Sequence, residues 1–330
     1  MSERAIEARP SAAAGATAWR HHHLLDVDTL SRDEIELVLD TAAEMRGILE
    51  RSVPRAPALR GVAVVTLFYE ASTRTRVSFE LAAKTLGADV VNVSATGSSI
   101  EKGESLVDTV RTIERLGARV IVMRHASAGA PYLAARNTAA SLVNGGDGWH
   151  AHPTQALLDA FTIRRHLGRV DGLRIAIVGD ILHSRVARSN AWLLTTLGAQ
   201  VVLCGPPPML PPGMGGVAED DLLPPVQVTT DLDAALRGAD AVMALRIQLE
   251  RMGTSEAPVS RAYARDYGLT VARLQELAPR ALVLHPGPMN EGVEISPDVA
   301  HGAASLVEEQ VQNGVAVRMA VLYLVTGKGA

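Results

Sequence analysis

The sequence predicts an α/β fold of two parallel-sheet units joined by helices, with the last helix returning to the first unit. At 330 residues the chain is long for one core and comfortable for two. Hydrophobic residues make up 47% but aromatic ones only 3%, so the cores must be built from Ala, Val, Leu and Ile, as suits sheets covered by helices. Short apolar runs alternate with helical periodicity twice along the chain. That alternation is the grammar of a parallel sheet with right-handed crossovers.

A first helix opens at Ser31, with Glu34 at capping-box spacing, and Ile35, Val38, Leu39, Ala42 and Met45 recur at helical period to about Gly47. Val62 to Leu67, Val90 to Val93 and Val120 to Met123 read as buried strands. Helices from about Arg74 to Leu86 and Glu104 to Leu116 lie between them, closed by Gly87 and Gly117 at the left-handed stop position. Asn144-Gly145-Gly146-Asp147-Gly148 reads as a break, and a connecting helix starts at His152-Pro153-Thr154 and runs to about Leu167. The second alternation comprises Arg174 to Val178, a helix from Ser184 to Leu197, then Gln200 to Cys204, Val226 to Thr229 and Ala241 to Leu245. The Pro-rich stretch 205–225 is poor in backbone donors and is expected to be a surface loop. A last helix from about Leu306 to Leu324 carries Val307, Val311, Val315, Met319 and Leu322 on one face.

Bulk properties exclude several functions. A net charge of −4 argues against nucleic acid as the main partner, because no basic excess exists to neutralise a phosphate backbone. No apolar stretch approaches the length that crosses a bilayer, and residues 1–17 lack the continuous apolar segment of a secretory signal, so a loose tail on a cytoplasmic protein is expected. Cys204 is the single cysteine and ends an apolar run, which places it in a core and suits a reducing compartment. His21-His22-His23 lacks ligand spacing and a fourth group, so no metal is expected there. Arg174 to Asp180 resembles the start of a dinucleotide fold, but Ile181-Leu182-His183-Ser184 stands where further glycines are needed, and no nucleotide cofactor is expected.

The most informative residues are Phe68-Tyr69-Glu70-Ala71-Ser72-Thr73-Arg74-Thr75-Arg76. They follow a strand and open a helix, where backbone N–H groups lack partners and the dipole is positive. Ser72 or Thr73 could serve as an ordinary N-cap. Capping does not explain Arg74 and Arg76, since cations in a first turn oppose the dipole. Hydroxyls, free N–H groups and a planar guanidinium together suit a phosphate.

Further clusters fall at the ends of expected strands, where open α/β sheets bind ligands. They are Ser98-Ser99-Ile100-Glu101-Lys102-Gly103-Glu104, Met123-Arg124-His125, His152-Pro153-Thr154-Gln155, Ser184-Arg185-Val186, Leu245-Arg246-Ile247-Gln248 and His285-Pro286-Gly287-Pro288-Met289-Asn290. In this order and spacing they resemble the catalytic chains of the aspartate carbamoyltransferase family, from about His23 to Leu324. The Ser-Thr-Arg-Thr-Arg run is shared by carbamoyltransferases in general. His285-Pro286-Gly287-Pro288 separates this chain from the ornithine branch, which typically has a cysteine there.

The resemblance implies a carbamoyl phosphate-binding domain over 1–152, with 1–20 a tail and 305–330 completing it, and an aspartate-binding domain over 153–304. Ser72, Thr73, Arg74 and Thr75 would cradle the phosphate, and Arg124 would bridge phosphate and carbonyl oxygen. His152, as a neutral donor, and Thr75 would polarise the carbonyl. Gln155 and the backbone carbonyls of Gly287 and Pro288 would accept from the carbamoyl NH2. Two carboxylates on the acceptor match Arg185 and Arg246, with Gln248 in support. Ser98 and Lys102 would reach into a neighbouring subunit's site, implying a homotrimer with active sites shared between chains. No metal or cofactor is implied, and a regulatory chain or dihydroorotase is a possible partner.

Three departures stand out. Gly145 replaces the usual Ala, Trp149-His150-Ala151 precedes His152 in place of Thr or Ser, His or Asn, and Gln, and Glu291 stands where Arg is common. Glu291 would place a negative charge near a site for two anions. Alternatives that stay open are a carbamoyltransferase for another amine, such as an ornithine derivative, and a non-catalytic carbamoyl phosphate-binding scaffold.

Overall fold

The computed structural model describes residues 18–94, 103–211, 216–220, 223–247 and 256–327. Ser98, Lys102 and Gln248 lie outside the described residues. The fold is two parallel-sheet α/β units, as the alternation of apolar runs predicts.

The first sheet has strand order β2-β1-β3-β4, from β1 (Ala63–Phe68), β2 (Asp89–Ser94), β3 (Val120–His125) and β4 (Ser141–Asp147), all parallel. Its helices are α1 (Arg32–Leu49), α2 (Thr73–Thr85), α3 (Leu106–Arg115) and the short α4 (Ala130–Ala135). Helix α1 begins with the expected capping box, in which the Ser31 hydroxyl and the Glu34 carboxylate each take the other's backbone N–H. The stretch expected to break the chain is instead β4, buried along its whole length. Its Gly145 and Gly146 are no turn signal. They let side chains from β3 and the second unit approach the strand, as described below.

Two further readings change. Strand β2 was expected to be buried, yet as an edge strand with β1 as its neighbour it leaves Val91 exposed. Of the stretch 1–20 expected to be a tail, residues 1–17 lie outside the described residues, while Trp19 packs into the core and its indole N–H donates to His21 O at 2.7 Å. The three adjacent histidines take different partners, Glu34 for His21, Ala139 O for His22 and the Leu142 N–H for His23. They tie the start of the chain to α1 and β4.

Helix α5 (Pro153–Leu167) joins the units and is buried from Pro153 to Ile163. The second sheet runs β10-β9-β5-β6-β8-β7, from β5 (Arg174–Val178), β6 (Gln200–Cys204), β7 (Gly216–Asp220), β8 (Leu223–Thr229), β9 (Ala241–Ala244) and β10 (Leu282–Leu284). All neighbours are parallel except β7, which pairs antiparallel with β8 at the edge. The Pro-rich stretch therefore contains a hairpin. Pro224 and Pro225 precede the point at Gln227 where pairing with β6 begins, so they interrupt no central ladder. Helices α6 (Arg185–Thr196), α7 (Leu232–Leu236), α8 (Glu256–Tyr267), α9 (Val271–Leu277) and α10 (Pro297–Ala300) complete the unit.

The last helix, α11 (Val307–Val325), packs against α1, α2 and α5 and so returns to the first unit. The predicted face is wrong in its first half. Val311 is exposed, while Gln310, Asn313 and Gly314 are buried. From Ala316 to Leu322 every residue is buried, because the helix is enclosed on several sides rather than along one stripe. Phe79 on α2 is fully buried in this junction, with the Arg318 guanidinium 5.1 Å from its ring centroid. Phe79→Ala is expected to cost about 3–5 kcal/mol of stability, read from the urea midpoint, as for other buried aromatics. A loss below about 1 kcal/mol would mean that the junction is not packed as described.

Candidate active site

A cleft of about 690 Å³ lies between the two sheets, at the C-terminal ends of their strands. In the first sheet β1 is flanked by β2 and β3, so the chain winds away in opposite directions from β1, and in the second sheet the same holds for β5 between β9 and β6. Ligands bind open α/β sheets at such switch points. The segment after β1 supplies Arg74, the C-terminal end of β3 itself supplies Arg124, and the segments after β5 and β9 supply Arg185 and Arg246.

The structure brings Ser72, Thr73, Arg74, Thr75, Arg124, His152, Gln155, Arg185, Arg246, Gly287 and Pro288 to this one cleft. Ser72 is the residue before α2, in extended conformation, but its side chain makes no cap hydrogen bond. The ordinary capping explanation for that hydroxyl therefore fails, and no acid occupies the first turn. Burial lowers the Arg74 pKa, and the nearby charge of Arg246 lowers it further. Two guanidiniums from different sheets thus repel across the cleft.

Glu70 is the residue that the sequence reading left without a role. Its Oε1 accepts from Arg124 Nη2 at 2.5 Å and from Arg185 Nη2 at 2.7 Å, joining the two units through one carboxylate. Burial pushes the Glu70 pKa up, but the Arg185 hydrogen bond and the charges of Arg124 and Arg185 outweigh it and hold it below the ordinary value. Nothing local in the sequence marks this role, because Glu70 meets Arg185 across 115 positions. Arg124 also donates to Gly145 O at 3.2 Å and Arg185 to Gly148 O at 3.0 Å. Gly146, at φ 116°, sits between these arginines, and a Cβ there would lie 3.1 Å from Arg185 Nε and 3.2 Å from Arg124 Nη1.

His152 opens α5, where its backbone N–H donates to Ser189 Oγ at 2.9 Å. Burial drives its imidazole pKa well below the ordinary value, and Arg124, Arg185 and Arg318 add to the effect. His152 is a neutral ring. His285 is held at both nitrogens, accepting from the Gly287 N–H at 2.8 Å and meeting Glu294 Oε1 at 3.2 Å, which shapes the turn that carries Gly287 over Arg74. Gly287 has φ +63°, and a Cβ there would come 2.6 Å from Arg74 Nη1.

The departures also find places. Glu291 pairs with His301 at 3.2 Å and does not line the cleft. His150 lies 3.1 Å from Asp147 Oδ2 and 3.4 Å from Asp26 Oδ2, while Trp149 meets the His183 ring edge-on at 4.5 Å. Burial pushes Asp26 up to about 7, and the Asp147 hydrogen bond raises His150. These residues fasten the turn between β4 and α5 that delivers His152.

The description "Aspartate/ornithine carbamoyltransferase, carbamoyl-P binding domain" matches residues 22–165, and "Aspartate/ornithine carbamoyltransferase, Asp/Orn binding domain" matches 171–325. The chain belongs to the aspartate/ornithine carbamoyltransferase family. Among relatives, the aspartate carbamoyltransferase catalytic subunit of Chloroflexus aggregans is 57% identical over 93% of this chain and 99% of that protein. Aspartate transcarbamoylase from Trypanosoma cruzi, solved with carbamoyl phosphate, is 31% identical with a TM-score of 0.81, covering 91% of this chain and 95% of that one. Ornithine carbamoyltransferase from Pyrococcus furiosus is 27% identical with a TM-score of 0.83, covering 94% and 98%. Both branches of the family share the fold.

Two outcomes follow from the geometry. Gly287→Ala is expected to displace Arg74 and weaken inorganic phosphate binding by about tenfold or more in calorimetry, the loss of a hydrogen bond to a charged group; unchanged affinity would show that the turn does not control Arg74. His152 stays neutral in the fold while the unfolded ring, with an ordinary value of 6.5, takes up a proton, so its contribution to stability is lost as pH falls below about 6.5. In His152→Asn the drop in urea midpoint between about pH 7 and about pH 5 should shrink relative to the parent chain. Equal drops would contradict a buried neutral imidazole.

Proposed function

We propose that this chain transfers the carbamoyl group of carbamoyl phosphate to the amino group of L-aspartate, giving N-carbamoyl-L-aspartate and phosphate in de novo pyrimidine synthesis. The observation that carries this reading is the meeting of two arginine sets in one cleft, Arg74 and Arg124 beside the hydroxyls of the first sheet, Arg185 and Arg246 from the second. Names agree with it. The Chloroflexus aggregans relative is an aspartate carbamoyltransferase catalytic subunit, and the Trypanosoma cruzi enzyme was captured with carbamoyl phosphate.

Ser72, Thr73, Arg74 and Thr75 hold the phosphate at the N-terminus of α2, and Arg124 spans phosphate and carbonyl oxygen. Thr75 and the neutral His152 polarise the carbonyl, while Gln155 and the carbonyls of Gly287 and Pro288 accept from the carbamoyl NH2. Arg185 and Arg246 take the two carboxylates of aspartate, with Gln248 assigned by resemblance. The neutral amine adds to the carbonyl carbon, the C–O bond to phosphate breaks, and the departing phosphate takes the amine proton. His152 is a poor base at its lowered pKa and His285 has both nitrogens engaged, which supports phosphate as the proton acceptor. Fixing two anionic substrates side by side can supply effective molarities of about 10⁵–10⁸ M. An ornithine-type acceptor would bring a cation toward Arg185 and Arg246, which favours aspartate.

The first unit is taken as 1–152 completed by 305–330, and the second as 153–304. A cytoplasmic homotrimer fits the exposed apolar side chains Val77 and Leu81 of α2 and Val91 of β2, at 42%, 50% and 52% exposure on adjoining elements. Ser98 and Lys102 would then serve a neighbouring site.

Steady-state assays with carbamoyl phosphate and either aspartate or ornithine test the reaction; turnover with another amine but not aspartate would sink the substrate assignment. Arg74→Ala is expected to lower turnover by about 10²–10³ or more, as loss of an electrostatic stabiliser does. Arg246→Ala should mainly raise the aspartate KM, and an unchanged KM would refute its role.

A further inference from the structure

Beneath the cleft floor, Asp159 on α5 is 0% exposed. Its Oδ1 accepts from Gln155 Nε2 at 2.9 Å and from Gln310 Nε2 at 2.7 Å, and its Oδ2 accepts from Asn190 Nδ2 at 2.9 Å. Gln310 on α11 in turn accepts the His285 backbone N–H at 2.9 Å. One carboxylate therefore ties together α5, α6, α11 and the turn after β10.

Among the described residues, the three side chains that hydrogen-bond to Asp159 are carboxamides, and an ionised carboxylate can only accept. It therefore dictates which end of each amide it meets. Gln155 must turn its NH2 inward, and because Gln155 also lines the cleft, its Oε1 remains for a ligand there. The charged group facing Asp159 from the packed elements is the Arg318 guanidinium of α11, itself 4% exposed. A buried charge is rarely the most stabilising way to fill such a space.

We propose that Asp159 is a positioning residue that sets the polarity of the Gln155 carboxamide, so that the cleft offers the carbamoyl NH2 an acceptor and not a second NH2. This rests on the carbamoyl phosphate reading. A neutral side chain at 159 would let Gln155 rotate by half a turn and present its own NH2 to the ligand. Phosphate held at Ser72 to Thr75 would not sense the change.

The discriminating probe is acetyl phosphate, which keeps the phosphate and carbonyl but has a methyl group in place of NH2. Dissociation constants of the full-length chain for carbamoyl phosphate, acetyl phosphate and inorganic phosphate are compared with those of Asp159→Asn. The parent should prefer carbamoyl phosphate; the variant should lose that preference by about tenfold, the worth of one hydrogen bond and its reversal, and keep its phosphate affinity. A folded variant with the preference intact overturns the Asp159 role alone, whereas a parent that binds neither acyl phosphate overturns the functional reading as well.

The parent chain supplies a second measurement should the variant not fold. Burial raises the Asp159 pKa to about 7 against the hydrogen bonds of Asn190, Gln310 and Gln155, so the preference should fall as the pH is lowered from about 8 to about 6 and Asp159 becomes a donor. In Gln155→Ala that pH dependence should vanish. Its survival there would show that Asp159 does not act through Gln155.

Discussion

The constraint on which the cleft depends is electrostatic: Arg74, Arg124, Arg185 and Arg246 converge between two sheets, and their mutual repulsion must be carried by the fold when no anion is bound. Parallel strands buried on both faces give a support stiff enough to hold them, with Arg124 at the end of β3 and the other three arginines beyond the ends of β1, β5 and β9. Glu70 relieves part of the repulsion by pairing with Arg124 and Arg185 together. Arg74 and Arg246 also face one another, so burial and like charge act on Arg74 in the same direction.

Polar groups below the floor extend the same logic. A neutral His152, the Asp159 carboxyl and the amides of Gln155, Gln310 and Asn190 are all buried or nearly so, and Asp159 sets the orientation of the three amides. Amides held in this way need little reorganisation as charge develops beside them.

The parallel core was readable because strands buried on both faces appear as continuous apolar runs; β5 and β6 span the residues their sequences predict. The run Ser72 to Arg76 stood out for a different reason: its hydroxyls and guanidiniums are contiguous, its cations oppose the helix dipole in a way that capping does not explain, and Ser72 to Thr75 do line the cleft. Strand β4 was hidden because Gly145 and Gly146, which admit the arginines, look like a turn. Glu70 was hidden because Arg124 and Arg185 lie 54 and 115 positions away, and Asp159, although one helical turn from Gln155, because Asn190 and Gln310 lie 31 and 151 positions away. The buried face of α11 was misjudged for a related reason, since enclosure by α1, α2 and α5 removes the single stripe that periodicity detects.

The return of α11 to the first unit has a bearing on how the chain is made. The helices α1, α2 and α5 that receive it are translated long before residues 307–325 leave the ribosome. Until then the site of Phe79 lacks its cover and Asp159 lacks Gln310. Domains ordinarily fold in order of synthesis. Here the core of the N-terminal unit lacks its α11 cover until that helix emerges, while all strands of the second sheet precede it in the chain.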